Sequence, residues 1–227
     1  MIVELGTLER KLNYFFKNPK LLIQALTHRS VRGEHNERLE FLGDSILNFI
    51  VGHALYQKLP HAKEGELSRY RALLVCEDSL AALALTFNLS DFLILGAGEL
   101  RSGGFRRKSI MADALEAIIA AIYLDADLLT CQKIVETWFA EHLINVAQMK
   151  IKKDPKSAIQ ELVQSKKLPL PEYTVIKITG ADHDQTFHVT CQVLGIEEVM
   201  MGKGSNRRIA EQEATGAFLK EVFEQEL

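Results

Sequence analysis

Asn36-Glu-Arg-Leu-Glu-Phe-Leu-Gly-Asp-Ser-Ile-Leu-Asn-Phe-Ile-Val-Gly-His-Ala-Leu-Tyr-Gln-Lys-Leu59 decides how the first part of this chain folds. Leu39, Leu42, Ile46, Phe49 and Ile50 recur at spacings of three and four, which predicts a helix with one packed face. The same helix carries Glu37, Glu40 and Asp44, whose offsets of three and four set them on nearly one face.

Outward from this stretch, Glu64–Val75, Asp78–Phe87, Ile110–Leu124 and Cys131–Ala147 repeat the helical period. Gly96, Gly98, Gly103 and Gly104 interrupt it and predict a loop before Ile110. Residues 1–150 therefore form an all-α domain. The Lys-rich stretch Met149-Lys-Ile-Lys-Lys-Asp-Pro155 has the composition of a linker.

Beyond it the pattern changes. Ser157–Lys166 is a short helix. Tyr173–Ile178 and Thr186–Val193 are β-branched and alternating, and Glu197–Met201 is a weaker third strand. Asn206 is a suitable N-cap for a final helix ending at Phe223. Residues 151–227 are thus an α-β-β-β-α domain, a three-stranded antiparallel sheet with both helices on one face.

The composition narrows the function. With 47% hydrophobic and 25% charged residues, the 227-residue chain is expected to be a soluble globular protein. Cys76, Cys131 and Cys191 form no CxxC pair, so neither a thiolate metal site nor a disulfide framework is expected. The start has no basic-then-apolar segment, and Ala117–Leu124 is too short to span a bilayer. A cytoplasmic setting with no membrane partner follows as the expectation. The formal charge of −3 argues mildly against a nucleic-acid partner. From Lys152 onward 10 Lys/Arg face 12 Asp/Glu, so any RNA binding must depend on where the cations sit.

The acids are the chemically informative group. Asp113 and Glu116 lie three apart in Ile110-Met-Ala-Asp-Ala-Leu-Glu116, an otherwise apolar helix. Carboxylates in such a setting are costly to bury unless paired or metal-bound. If the two helices face each other, Glu40, Asp44, Asp113 and Glu116 converge, and hard oxygen ligands suit Mg²⁺. A metal so held can support water attack on a phosphodiester. By spacing alone, the same acids could equally be solvated helix faces or partners of Arg69, Arg71 and Arg106.

The stretch His35-Asn-Glu-Arg-Leu-Glu-Phe-Leu-Gly-Asp-Ser-Ile46 closely resembles the signature of the ribonuclease III family. Ala25-Leu-Thr-His-Arg-Ser30, Glu64-Gly-Glu-Leu-Ser-Arg69, Gly98-Glu-Leu-Arg-Ser-Gly-Gly104 and Asp113-Ala-Leu-Glu116 extend the resemblance in order along the chain. It implies an endoribonuclease of double-stranded RNA that leaves 5′-phosphate and 3′-hydroxyl ends and processes ribosomal RNA precursors and structured messenger RNAs. Glu40, Asp44, Asp113 and Glu116 become the expected metal set, with Mg²⁺ as cofactor, Mn²⁺ as substitute and no organic cofactor. Asp44 and Glu116 are expected to matter most for catalysis. Glu37 and Glu64 are expected beside the scissile strand in a lesser catalytic role. Thr27 and Ser45 read as structural, His28 as a packed or capping histidine, and Arg38 as a variable position pairing with a nearby acid. The resemblance further implies a homodimer with Phe41 plugged into the partner; the alternative for Phe41 is the intrasubunit core.

The second domain resembles the double-stranded-RNA-binding domain. Gln160 and Glu161 on its first helix and His183 in the Gly180–Phe187 turn are expected at successive minor grooves. Lys203, Arg207 and Arg208, within Gly202-Lys-Gly-Ser-Asn-Arg-Arg-Ile-Ala-Glu211, are expected over the intervening phosphates. Glu211 stands where that domain family often has a third basic residue, and Asn206 where Ser is common, so a modest RNA affinity is expected. A nuclease-inactive RNA binder and a phosphohydrolase of small molecules are the competing readings. All six acids being present argues against the first, and the attached RNA-binding domain against the second.

Overall fold

A computed structural model describes residues 5–146, 154–181 and 185–223. Its chain divides into two compact units, Met1–Lys150 and Ile151–Leu227. The first is helical: α1 (Leu5–Leu12), α2 (Pro19–Leu26), α3 (Glu37–Lys58), α4 (Glu64–Leu74), α5 (Glu77–Thr86), α6 (Ala97–Arg101), α7 (Lys108–Asp125), α8 (Leu128–Trp138) and α9 (Ala140–Asn145). The second contains α10 (Pro155–Ser165), strands β1 (Glu172–Thr179), β2 (Thr186–Gln192) and β3 (Val199–Gly204), and α11 (Arg207–Phe223). The expected classes, all-α and α-β-β-β-α, are what the two units adopt. No helix of the described residues is long and apolar enough to cross a membrane.

Helix α7 is the axis of the first unit. From Ile110 to Ile122 every residue but Asp113 and Glu116 is buried, as expected of a helix surrounded by others. α3 makes the most extensive contact with it, and α2, α5 and α8 pack around the rest. Gly43 sets how near α3 comes: a Cβ there would stand 1.8 Å from the carbonyl oxygen of Glu116. No other residue fits, and this contact joins the two acid-bearing helices at the acids themselves.

Asn36 fixes the start of α3. It is buried, donates from Nδ2 to the carbonyl of Ala25 (3.3 Å) and from its backbone N–H to Thr27 (2.9 Å). A single parallel bridge between Thr27 and Ile94 then sets the His28–Ser30 turn beside Gly96, whose N–H donates to Ser30 Oγ (2.8 Å).

Several details differ from the sequence expectation. Phe49, expected on the packed face of α3, is 54% exposed, on a stripe with Phe41 and Tyr56. The helix expected over Cys131–Ala147 is two, ending and restarting at Phe139, whose ring is buried in the core. The glycine-marked loop contains α6. Ala147 and residues 149–153 of the expected linker lie outside the described residues.

In the second unit β1, β2 and β3 form an antiparallel sheet in chain order. The β1–β2 register slips at Ile176, a bulge that leaves Ile176 and Ile178 about half exposed. Against the sheet and α10, α11 buries Ala214, Phe218 and Leu219 in a core with Ile159, Val163, Cys191 and Val193. β3 runs three residues past its expected end because Gly202 and Gly204 belong to it. A Cβ at Gly202 would lie 2.3 Å from the Ala210 carbonyl oxygen, so the glycine admits α11 rather than breaking the strand.

Candidate active site and RNA-binding face

Glu40 from α3 and Asp113 and Glu116 from α7 each present a carboxylate oxygen within 4.8 Å of the others. All three are half-buried. Burial, then the charge of Asp44 and next those of Asp113 and Glu40, pushes Glu116 up to about 8. Glu40 is raised by burial and by Asp113 and Glu37, and Asp113 by burial and the charge of Glu77. The group therefore holds more negative charge than its surroundings stabilise. A hard divalent cation would offset that excess, and an all-oxygen donor set fits such an ion.

Asp44 departs from the expected convergence of four. It is exposed, and its Oδ1 accepts from Asn48 Nδ2 (2.8 Å). It stands outside the three-oxygen group yet exerts the largest charge effect on Glu116. One turn before Glu40, Glu37 is ion-paired to Arg29 (3.1 Å). Glu64, at the start of α4, accepts from Ser68 Oγ (2.9 Å) and does not join the cluster. The alternative pairing with arginines finds no support. Arg69 Nε donates to the Gly65 carbonyl, Arg106 lies over the Phe105 ring, and no described contact joins either of them or Arg71 to the three acids. Arg38 is exposed and makes no ion pair among the described residues.

A cavity of about 530 Å³ opens beside the cluster, with Glu37, Glu40, Asp113 and Glu99 in its walls together with His28, Arg29 and Arg107. Arg107 is held by Glu99 (2.8 Å). His28 takes the predicted turn-capping contact, Nδ1 to Ser30 Oγ at 2.9 Å, but also lines the cavity and opposes the rise at Asp113. Arg29 and Arg107 escaped the sequence reading, although both lie within or beside stretches that already resembled the family.

In the second unit Gln160 and Glu161 are exposed on α10, and Lys203, Arg207 and Arg208 are exposed around the start of α11. Asn206 caps that helix as expected, its Oδ1 accepting from Ile209 N–H (3.0 Å). His183 lies outside the described residues.

Residues 18–143 match the family model described as Ribonuclease-III-like, and residues 155–221 that of the double-stranded RNA binding motif. The chain is 54% identical to ribonuclease 3 of Pasteurella multocida over 97% of its own length and 98% of the relative's.

The chain belongs to the ribonuclease III family of endoribonucleases. Ribonuclease 3 of Shewanella denitrificans is 50% identical over 96% of this chain and 97% of its own. Among solved structures, the ribonuclease III nuclease domain of Campylobacter jejuni is 45% identical, covering 63% of this chain and 96% of that one at a TM-score of 0.58. That structure is described by the flexibility of a region involved in dimer formation. The helical unit is thus this family's nuclease fold, and a double-stranded RNA binding motif follows it.

Proposed function

We propose that the chain hydrolyses double-stranded RNA with Mg²⁺ as its resident ion, residues 1–150 cutting and residues 151–227 holding the duplex. The convergence of Glu40, Asp113 and Glu116 in a half-buried, charge-strained group carries this reading. These three, with Asp44 beside Glu116, would hold the ion. When bound, it supplies Lewis acidity at the phosphoryl group and makes water a competent nucleophile near neutral pH. Glu116 gives up its proton as the site fills. Asp44, solvent-facing and next to Glu116, orients the attacking water. Glu37 and Glu64 serve the approach of the scissile strand, Glu37 through its pairing with Arg29. Arg29 and Arg107, with His28 beside them, bring N–H donors to the cavity, so that a phosphodiester is not met by acids alone. Direct attack by water with the 3′-oxygen leaving gives 5′-phosphate and 3′-hydroxyl ends.

Gln160, Glu161, His183, Lys203, Arg207 and Arg208 are the proposed duplex contacts, reading shape and phosphates rather than sequence. Phe41, 78% exposed with Phe49 and Tyr56 on the same stripe of α3, supports a homodimer with its ring in the partner. The core assignment for Phe41 is set aside by that exposure. Mn²⁺ is proposed to substitute for Mg²⁺, ribosomal RNA precursors and structured messenger RNAs are the proposed substrates, and the cytoplasm the proposed location.

The test is long duplex RNA incubated with the full chain in Mg²⁺ and in Ca²⁺. Short products with 5′-phosphates are expected in Mg²⁺, and an intact, retarded duplex in Ca²⁺, whose looser geometry aligns water poorly. Retardation without cutting in Mg²⁺ would make the chain a binder with an idle nuclease fold.

A further inference from the structure

We propose that Glu211 is a positioning residue that holds Lys156 and Arg207 together as one phosphate-gripping pair, which makes Lys156 an RNA contact. This inference rests on the proposed duplex-holding role of the second unit. Glu211 is 7% exposed, and a buried carboxylate is costly unless paired. Both its oxygens are paired. Oε1 accepts from Arg207 Nε (2.8 Å), one helical turn earlier on α11, and Oε2 accepts from the ammonium of Lys156, reaching over from the start of α10. Burial alone would raise this carboxyl; the Lys156 and Arg207 hydrogen bonds outweigh it and hold it below the ordinary range.

The surroundings fix the arrangement further. Lys156 Nζ lies 4.4 Å above the ring of Tyr173, whose hydroxyl meets Thr215 Oγ1 at 2.8 Å. Thr215 in turn donates to the Glu211 carbonyl (2.6 Å). Beside the same acid, Gln212 Nε2 donates to Asp154 Oδ1 (2.9 Å), so α10 and α11 are tied at a second point.

The two cations are anchored at one end only. The Arg207 side chain is 63% exposed and that of Lys156 34%. A guanidinium has five N–H donors and an ammonium three, so both keep donors for a phosphate after pairing with Glu211. Lys and Arg ordinarily lose much rotamer freedom on binding, and here part of that ordering is already done. Two cations around one largely buried anion leave a net positive charge on the surface. The expectation that Glu211 weakens RNA binding by replacing a basic residue is thereby reversed in sign. Lys156 is also one turn before Gln160 on α10, which joins the α10 contacts to those at the start of α11.

The test uses the full chain and a short fluorescent RNA duplex in EDTA, with anisotropy followed over a salt series. Glu211→Gln keeps the volume but turns an NH₂ toward Lys156. It is expected to weaken binding roughly tenfold and to lower the slope of log affinity against log salt by about one. Lys156→Ala and Arg207→Ala are each expected to do the same. In the Lys156→Ala/Arg207→Ala background, where Glu211 has lost both cations, adding Glu211→Gln is expected to weaken binding no further. Tighter or unchanged binding by Glu211→Gln overturns the inference and leaves a merely repulsive acid. Further weakening in the doubly substituted background also overturns it, because the defect would then be one of folding. If the Lys156→Ala/Arg207→Ala protein binds as well as wild type, the inference fails; if the wild type itself does not bind the duplex, the duplex-holding role fails.

Discussion

Glu116→Gln separates the proton held at the carboxylate cluster from the ion proposed to replace it. Burial, Asp44, Asp113 and Glu40 push Glu116 up to about 8, against an ordinary value of 4.5. At pH 7 the protonated form then dominates about tenfold, and Gln imitates it in size and charge. Between pH 4.5 and 8 the folded protein binds more protons than the unfolded chain, so metal-free stability falls as pH rises through that window. The charge penalty is complete above pH 8 and absent at pH 4 and below. Glu116→Gln escapes it. At pH 9 without metal the variant should be more stable than wild type by ~1 kcal/mol, a figure kept low because a half-buried carboxylate is partly screened by water. That is about 2–4 °C in the melting of the helical unit. At pH 4 the two should melt together. With Mg²⁺ the order reverses. Wild type gains ~2.7 kcal/mol at a hundred times Kd and the variant little. The wild-type metal affinity should drop about tenfold for each pH unit below 8, because the ion must displace the proton. Cutting by the variant should slow about a thousandfold, equivalent to ~4 kcal/mol of transition-state stabilisation. Thermal unfolding at pH 4, 7 and 9, with and without Mg²⁺, measures all but the last. A variant no more stable than wild type at pH 9, or one stabilised equally by Mg²⁺, refutes the reasoning.

Two further substitutions test the frame around the site. Gly43→Ala puts a methyl 1.8 Å from the Glu116 carbonyl oxygen, so α3 and α7 must part. A loss of roughly 1–3 kcal/mol and a weaker Mg²⁺ response are expected on thermal unfolding; a variant with wild-type stability would show that the helices have slack. Phe41→Ala removes an exposed ring, so the protomer's own stability should stay within ~0.5 kcal/mol. The dimer should loosen by roughly 3–5 kcal/mol for a ring buried in the partner, read by sedimentation at micromolar concentration. An unchanged dimer would mean that Phe41 faces water in the assembly too.

What the sequence discloses depends on whether the governing force is local. α3 and α7 are legible because their apolar period is long and their acids interrupt it at fixed offsets. The turn from Phe49 toward solvent is not, since a phenylalanine on the edge of an apolar stripe carries no mark of which neighbour covers it. Nor is the break at Phe139, where no Gly or Pro interrupts the period and the core claims the ring. The extension of β3 through Gly202 and Gly204 is not legible either, because its reason, the approach of Ala210 and Ala214 on α11, lies six to twelve residues away in sequence. The start of α2 was within reach, as Asn18 accepts from Lys20 N–H and Pro19 occupies the first helical position.

The same distinction applies to charge. A total of −3, and more acids than bases after Lys152, weigh against an RNA partner only if every acid faces the solvent as an anion. Two of the decisive ones do not. Glu116 sits among three other carboxylates and keeps its proton near neutral pH, so the acidic cluster is less negative toward an approaching backbone than its formula suggests. Glu211 is ionised but buried beneath Lys156 and Arg207, and its effect on the surface is to fix where two cations stand. In both cases burial decides what the charge does: it makes one acid a latent seat for a cation and the other a mount for two. Composition counts each as −1, while a phosphate at the surface meets neither as a free anion.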